Sequence, residues 1–158
     1  MKTIIVYTTK HGCTDKCAHT LANELDINTS LKNLETEKNI DFSQYDTVII
    51  GSSIHAGAIN KKLRNFVDKN VDTLLQKKLG LFICCMYEGK KALEQFQNAF
   101  PEILREKAIA HGIFGGQFDL EKMNFLEKAI VKKVANVEKS VSKINYANIK
   151  SFAEKIKL

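Results

Sequence analysis

Hydroxyl groups and a glycine lie between the first apolar run of the chain and its first helical pattern. The apolar run covers residues 3–7, the loop covers residues 8–14, and an amphipathic pattern starts near Cys13. Backbone N–H groups, hydroxyls and the positive end of a helix dipole together bind phosphate. This spacing predicts a phosphate-binding loop, and we interpret it as the site for the phosphate of a nucleotide cofactor.

Three further apolar runs also lead into small or polar residues, near Ser52, Met86 and Gly115. Because the carboxyl ends of parallel strands meet at one edge of a sheet, we expect the four loops to converge on one crevice. The residues predicted to line it are Thr8, Thr9, Lys10, His11, Gly12, Cys13, Thr14, Ser52, Ser53, Ile54, His55, Ala56, Gly57, Met86, Tyr87, Glu88, Gly89, Gly116, Gln117 and Phe118.

Apolar runs typical of strands alternate with helical stripes along the chain. The predicted strands cover residues 3–7, 29–34, 46–53, 80–86 and 108–115, and the second is polar enough for a sheet edge. Predicted helices begin near residues 13, 60, 93 and 101, and the last one covers residues 145–156. A long helix near 121–141 has the stripe Leu126, Ile130, Val134, Val137 and Val141. This alternation predicts one α/β/α domain over residues 1–158, with a five-stranded parallel sheet in the order 2-1-3-4-5.

Residues 5–21 resemble the FMN-phosphate signature of flavodoxins. The matching positions are an aromatic strand end, two hydroxyls, a small loop residue and two apolar helix residues, namely Tyr7, Thr9, Thr14, Gly12, Ala18 and Leu21. The resemblance implies a flavodoxin-like fold with FMN as cofactor. It also implies that Thr9 and Thr14 contact the phosphate through hydroxyls and residues 10–13 through backbone N–H groups. The chain has no G-x-G-x-x-G spacing here, which argues against a dinucleotide site.

Residues 45–57 are similar to the third-strand segment of a narrower flavodoxin-domain group, which includes bacterial quinone-dependent protoporphyrinogen oxidase. The likeness extends to residues 115–120 and to an extra helix at the end of the chain. It implies an oxidoreductase that transfers electrons through a non-covalent flavin. The implied partners are a redox protein, a quinone or another small-molecule substrate.

Three departures from these relatives keep other functions open. The segment after the last strand is short (residues 117–122), the chain has no Trp to flank a flavin, and its net charge is +6, whereas flavodoxin carriers are usually acidic. A non-enzymatic electron carrier that docks on redox proteins is therefore the alternative. A flavin-free regulatory or interaction module is a third reading, because fold does not determine function.

The resemblance places the flavin ring between residues 53–57 and 87–89, with residues 115–118 covering it. Tyr87 is then a stacking ring or a rim aromatic. His55 is either a cationic group near the flavin N1–C2 edge or a surface histidine. Gly57 follows Ala56 in a turn whose peptide can reach the flavin N5, and glycine removes the steric cost of positive φ there.

Four cysteines occur, and their spacing does not indicate a disulfide framework. Cys13 lies at a helix N-terminus, where the dipole favours the thiolate. Cys13 and Cys17 with the Cys84–Cys85 pair could suggest a metal set. Adjacent strand residues point to opposite faces, so Cys84 and Cys85 do not share a tetrahedral site, and no metal is predicted.

Charge and hydropathy restrict the remaining classes. The positive charges alternate with apolar residues at helical spacing, without the basic stripe and interleaved aromatics of a nucleic-acid surface. No apolar run approaches the roughly 20 residues of a membrane helix. We expect a cytoplasmic protein without a transmembrane segment, and the basic charge leaves peripheral contact with an anionic membrane open.

Overall fold

Five parallel strands form the centre of the molecule in a computed structural model that describes residues 1–134 and 139–158. They are β1 (Thr3–Thr8), β2 (Thr29–Asn33), β3 (Thr47–Ser53), β4 (Lys78–Cys84) and β5 (Ala110–Ile113). Their order in the sheet is β2-β1-β3-β4-β5, which confirms the predicted order. The register pairs Tyr7 with Gly51 and Gly51 with Phe82, so the ends of β1, β3 and β4 align.

Helices cover both faces of this sheet. On one face lie α1 (Cys13–Leu25) and α6 (Tyr146–Lys157), and on the other lie α2 (Lys61–Leu75), α3 (Gly89–Ala99) and α4 (Glu102–Lys107). Alternate strand residues supply the two cores: Ile4 and Val6 face α2, whereas Ile5 and Tyr7 face α1. Burial on both faces explains the uninterrupted apolar runs of β1, β3 and β4.

Glycines in the central strands make room for phenylalanine rings. A Cβ built on Gly51 would lie 1.9 Å from the Phe82 ring, and one on Gly112 would lie 2.5 Å from Phe114. Phe82 and Phe114 stack with their centroids 4.6 Å apart, and Phe152 of α6 meets Phe114 edge-on at 5.4 Å. These rings fix α6 against β4 and β5.

The predicted long helix near 121–141 is wrong. Residues Leu120–Lys122 form one 3₁₀ turn, and α5 covers only Phe125–Val134. Val141 lies in the short strand β7 (Val141–Ser142), which pairs antiparallel with β6 (Gln117–Phe118). The side chains of Leu126 and Ile130 are 71% and 60% exposed, so the expected buried stripe does not form. Val137 lies outside the described residues.

The other predicted elements are present with shifted ends. α2 continues to Leu75, whereas the sequence predicts its end near Asn70. β4 begins two residues earlier than predicted and ends at Cys84. In α3 the buried side chains are Ala92, Phe96 and Ala99, whereas Leu93 is 56% exposed. Within the described residues, no helix combines the length and apolar character that a bilayer span requires.

Candidate cofactor site

The loop after β1 is held in a fixed shape by its own residues. Gly12 has φ 88° and caps the N-terminus of α1, a conformation that glycine adopts at little cost. The Gly12 N–H donates to Thr9 Oγ1 at 3.0 Å, and the Lys16 N–H donates to the Gly12 carbonyl at 3.0 Å. The first N–H groups of α1 have no partner within the helix, so they are available to an anion.

The hydroxyls around this loop fit an anionic ligand. Thr14 Oγ1 is buried and has no hydrogen-bond partner within the described part of the chain. A buried hydroxyl without a partner is costly, and a phosphate oxygen would satisfy it. Thr8 Oγ1 lies 3.0 Å from Ser52 Oγ, which joins the carboxyl ends of β1 and β3.

Lys122 and Glu127, which we did not predict as site residues, lie at the same loop. A Cβ built on Gly12 would lie 3.2 Å from Lys122 Nζ, which places this ammonium directly beside the loop. Glu127 forms a salt bridge with Lys10, and its Oε2 lies 3.4 Å from His11 Nε2. The Lys10 hydrogen bond, with the Asn124 N–H, holds the pKa of Glu127 below its usual value.

A local sequence signal, the Asn124–Glu127 pair at the start of α5, predicts the position of Glu127. The Asn124 side chain accepts from the Glu127 N–H at 2.9 Å, and Glu127 accepts from the Asn124 N–H at 3.1 Å. This reciprocal pair is a capping box, which predicts a helix start at Phe125 instead of residue 121. The proximity of Lys122 to Gly12 has no such local signal.

The loop after β3 is a tight two-residue turn. The His55 N–H and the Ala58 carbonyl are 2.9 Å apart, and the reverse bond is 3.1 Å long. Ala56 and Gly57 between them have φ of 49° and 77°, which is typical of a type I′ turn. A Cβ on Gly57 would meet no atom within 4 Å, so this tip is open to a ligand or a partner.

His55 lies beside the phosphate loop with its ring near His11. The two ring centroids are 6.0 Å apart, and His55 Nε2 lies 3.0 Å from Ser53 Oγ. Partial burial of the ring, together with the positive charges of Lys10 and His11, lowers the pKa of His55. A lowered pKa is opposite to what the cationic role considered above requires.

The loops after β4 and β5 meet through backbone packing. A Cβ on Gly116 would lie 2.7 Å from Met86 Sδ, and one on Gly115 would lie 1.9 Å from the Lys143 carbonyl oxygen. Gln117 and Phe118 continue into β6. An open cleft of about 300 Å³ beside them is lined by residues 117–119, 121 and 140–142, and it contains none of the other predicted site residues.

Tyr87 and Glu88 are exposed at the same edge of the sheet. The ring of Tyr87 is 41% exposed, and Lys91 Nζ lies 3.7 Å from its centroid. Because the ammonium occupies one face of the ring, Tyr87 has only its other face for stacking.

Tyr7 anchors the start of α1 to the sheet. Its hydroxyl donates to Asp15 Oδ1, and burial together with this hydrogen bond raises the pKa of Tyr7. The bond joins the aromatic end of β1 to the first turn of α1, on the side of the sheet that carries the loop.

Three cysteines come together behind the loop. The sulfur atoms of Cys13, Cys17 and Cys84 lie within 4.8 Å of one another, and all three residues are buried. Cys85 packs in the core on the opposite face of the sheet, as the alternation of strand side chains predicts. Hydrogen bonds from the Cys17 and Cys84 thiols lower the pKa of Cys13. The same contacts, with burial, raise the pKa of Cys84.

Comparison with known proteins gives a family match over most of the chain. The family model described as "Flavodoxin domain" matches residues 4–145. Protoporphyrinogen IX dehydrogenase [quinone] of Escherichia coli K12 is 34% identical over 77 residues, which are 47% of this chain and 42% of that protein. The match therefore spans less than half of the curated relative.

Solved structures share the fold at low sequence identity. Flavodoxin 1 from Bacillus cereus has a TM-score of 0.57 at 17% identity, over 99% of this chain and 97% of its own. The rubredoxin oxygen:oxidoreductase of Desulfovibrio gigas has a TM-score of 0.59 at 17% identity, over 98% of this chain and 35% of its own. A Lactobacillus acidophilus flavoprotein in complex with FMN has a TM-score of 0.50 at 18% identity, over 73% and 91%.

Proposed function

The chain belongs to the flavodoxin domain family, and from that premise we propose that it is an FMN-dependent redox protein. The observation that carries the proposal is the buried Thr14 hydroxyl, which lacks a partner within the described residues beside the N-terminus of α1. The loop lies at the carboxyl edge of the sheet, where the order 2-1-3-4-5 binds its ligands.

Residues of the loop after β1 would hold the phosphate of FMN. Thr14 would donate its hydroxyl proton to a phosphate oxygen, and Thr9 retains its own O–H while it accepts from Gly12. Backbone N–H groups at the start of α1 add further donors. Lys122 would supply a positive charge beside the loop. A bound FMN would supply the electron-transfer chemistry.

The flavin ring would lie between two other loops, which follow β3 and β4. The turn at Ala56 and Gly57 borders one side, and the segment from Met86 to Gly89 borders the other. Neutral His55 would offer a hydrogen bond at the ring edge instead of a positive charge. Gly116, packed on Met86, would limit the ring on the β5 side.

An oxidoreductase acting on a small reduced substrate, with a quinone as acceptor, is the first candidate activity. Its support is the 34% identity to the E. coli protoporphyrinogen IX dehydrogenase [quinone], which covers less than half of that protein. The buried thiols agree with a reducing compartment, and we place the reaction in the cytoplasm.

An electron carrier is the second candidate, and the surface of α5 favours it. Phe125, Leu126 and Ile130 are 84%, 71% and 60% exposed, and lysines of the same helix lie beside them. Glu127 of this helix pairs with Lys10, so the exposed apolar side chains are close to the phosphate loop. An acidic redox protein could dock on such a surface and exchange electrons near the flavin.

One anaerobic experiment separates these candidates. FMN-loaded protein is mixed with a porphyrinogen, and the visible flavin absorbance is followed before and after addition of a quinone. Bleaching and then recovery, with several turnovers, supports the oxidoreductase. Bleaching by a chemical reductant alone, with no reaction toward the porphyrinogen, supports the carrier. A Thr14→Val chain lacks the side-chain hydroxyl that is proposed to bind the phosphate. It serves as the matched control and should load poorly with FMN.

A further inference from the structure

The three-cysteine cluster behind the phosphate loop has the composition of a metal site. Cys13 is the first residue of α1, Cys17 lies one turn later on the same helix face, and Cys84 ends β4 beneath them. Their three sulfur atoms lie within 4.8 Å of one another. The cluster therefore joins three ligand atoms from two elements whose relative position the core already fixes.

The distances suit a small cation in the plane of three sulfur atoms. A metal–sulfur bond of about 2.3 Å in trigonal geometry separates the sulfur atoms by about 4.0 Å. The three sulfur atoms are at most 4.8 Å apart, which is within 1 Å of this value, so a small side-chain adjustment completes the site. No fourth histidine, cysteine or carboxylate atom joins the set among the residues that the structure describes.

A set of three thiolates without a fourth protein ligand favours some metals over others. Structural zinc takes four ligands in a tetrahedron, whereas soft thiolate donors also select Cu(I). Cys17 and Cys84 are 0% and 2% exposed, so water has little access as an additional ligand. We propose that Cys13, Cys17 and Cys84 form a buried site for Cu(I).

The surroundings of the cluster can accommodate its charge and its metal. Three thiolates with one Cu(I) carry net negative charge, which the N-terminus of α1 stabilises at Cys13. Cys13 is 8% exposed, so the ion enters from the loop side. Copper enters as Cu(I), so Cu–S bonds form without electron transfer, and any displaced thiol protons pass to the buffer.

The test uses the reduced chain of residues 1–158, free of FMN and under anaerobic conditions, so that its outcome is separate from the proposed redox function. Cu(I) is presented in a chromogenic chelator buffer, and transfer to the protein is read from loss of the chelate colour. We expect one Cu(I) per chain, and copper X-ray absorption should report three sulfur neighbours. Cys84→Ala and Cys17→Ala should each weaken Cu(I) binding by about 100-fold.

Cys85→Ala is the matched control, because Cys85 is the next residue but packs in the other core. Its Cu(I) affinity should equal that of the unmodified chain. The proposal is overturned by no transfer of Cu(I), by an equal loss in Cys85→Ala, or by Zn(II) displacing Cu(I) at equal concentration. Circular dichroism of each variant shows whether it folds. If Cys84→Ala does not fold, the Cys17→Ala measurement and the sulfur count of the unmodified chain decide.

Discussion

Lys122 is proposed to supply positive charge to a phosphate group at the loop after β1, because Lys10 of that loop is already paired with Glu127. Its ammonium lies 3.8 Å from Asp119 Oδ2 and beside Gly12. The side chain is 59% exposed, so water and salt screen its interactions. We therefore expect Lys122 to adjust the affinity for FMN, while the backbone N–H groups and the Thr14 hydroxyl provide most of the phosphate contacts.

Replacing Lys122 by Ala should weaken FMN binding by about 10-fold, the size of one charge-assisted hydrogen bond. Riboflavin, which has no phosphate, should bind the variant and the unmodified chain equally. Lys132→Ala removes an equal charge from the last turn of α5 and is the control. Fluorescence titration with both ligands measures the effect. An equal loss for riboflavin, or for Lys132→Ala, would show that Lys122 does not contact the phosphate.

Tyr7 should ionise only at strongly alkaline pH, because burial and Asp15 raise its pKa. A raised pKa means that the stabilisation is complete below the unfolded value of about 10 and is lost as pH rises through the folded value. Tyr7→Phe should remove the phenolate step at highest pH in an absorbance titration. Tyr146→Phe, at a 51% exposed site, is the control for the loss of one phenol. The prediction is wrong if both variants lose the same step.

Prediction of single elements succeeded where the signal was local. The strands β1, β3 and β4 lie between two layers, so their apolar runs identify them. The end of the chain also formed the expected helix, with Ile149, Phe152 and Ile156 buried. The region near 121–141 failed because β6 pairs with residues more than 20 positions away, and periodicity does not report such contacts.

The same limit applies to the site. Convergence of the loops after β1 and β3 follows from topology, and the bond between Thr8 and Ser52 joins them. Lys122 is a different case, because its position beside Gly12 depends on how the chain leaves β6 and enters α5. The type of residue gave no indication, since lysines occur throughout this basic chain.

Gly51 is the element-level position most sensitive to substitution. Gly51→Ala would place a Cβ only 1.9–2.4 Å from three atoms of the Phe82 ring. We expect a loss of about 3 kcal/mol in the free energy of unfolding, as for overpacked cores. Combination with Phe82→Leu should recover part of it, so urea unfolding of the single and double variants should show coupling. Strictly additive losses would mean that the ring does not oppose the new methyl group.

At the scale of the whole molecule, the two cores lie on opposite faces of the sheet, and the predicted ligand loops join them at one edge. The loop after β1 leads into α1 on one face, and the turn at Ala56 and Gly57 leads into α2 on the other. A ligand held by both loops binds only the folded chain and stabilises it by mass action. FMN binding is the premise on which each redox proposal depends.

Titration of the purified chain with FMN, followed by absorption spectroscopy and thermal unfolding, tests this premise most directly. We predict that one FMN binds per chain and that its absorption band is shifted from that of free FMN and remains after desalting. We also predict that the midpoint temperature of thermal unfolding rises with FMN concentration. Thr14→Val should show a smaller rise at equal FMN. A chain that stays colourless after incubation with excess FMN, with an unchanged midpoint, would contradict the account.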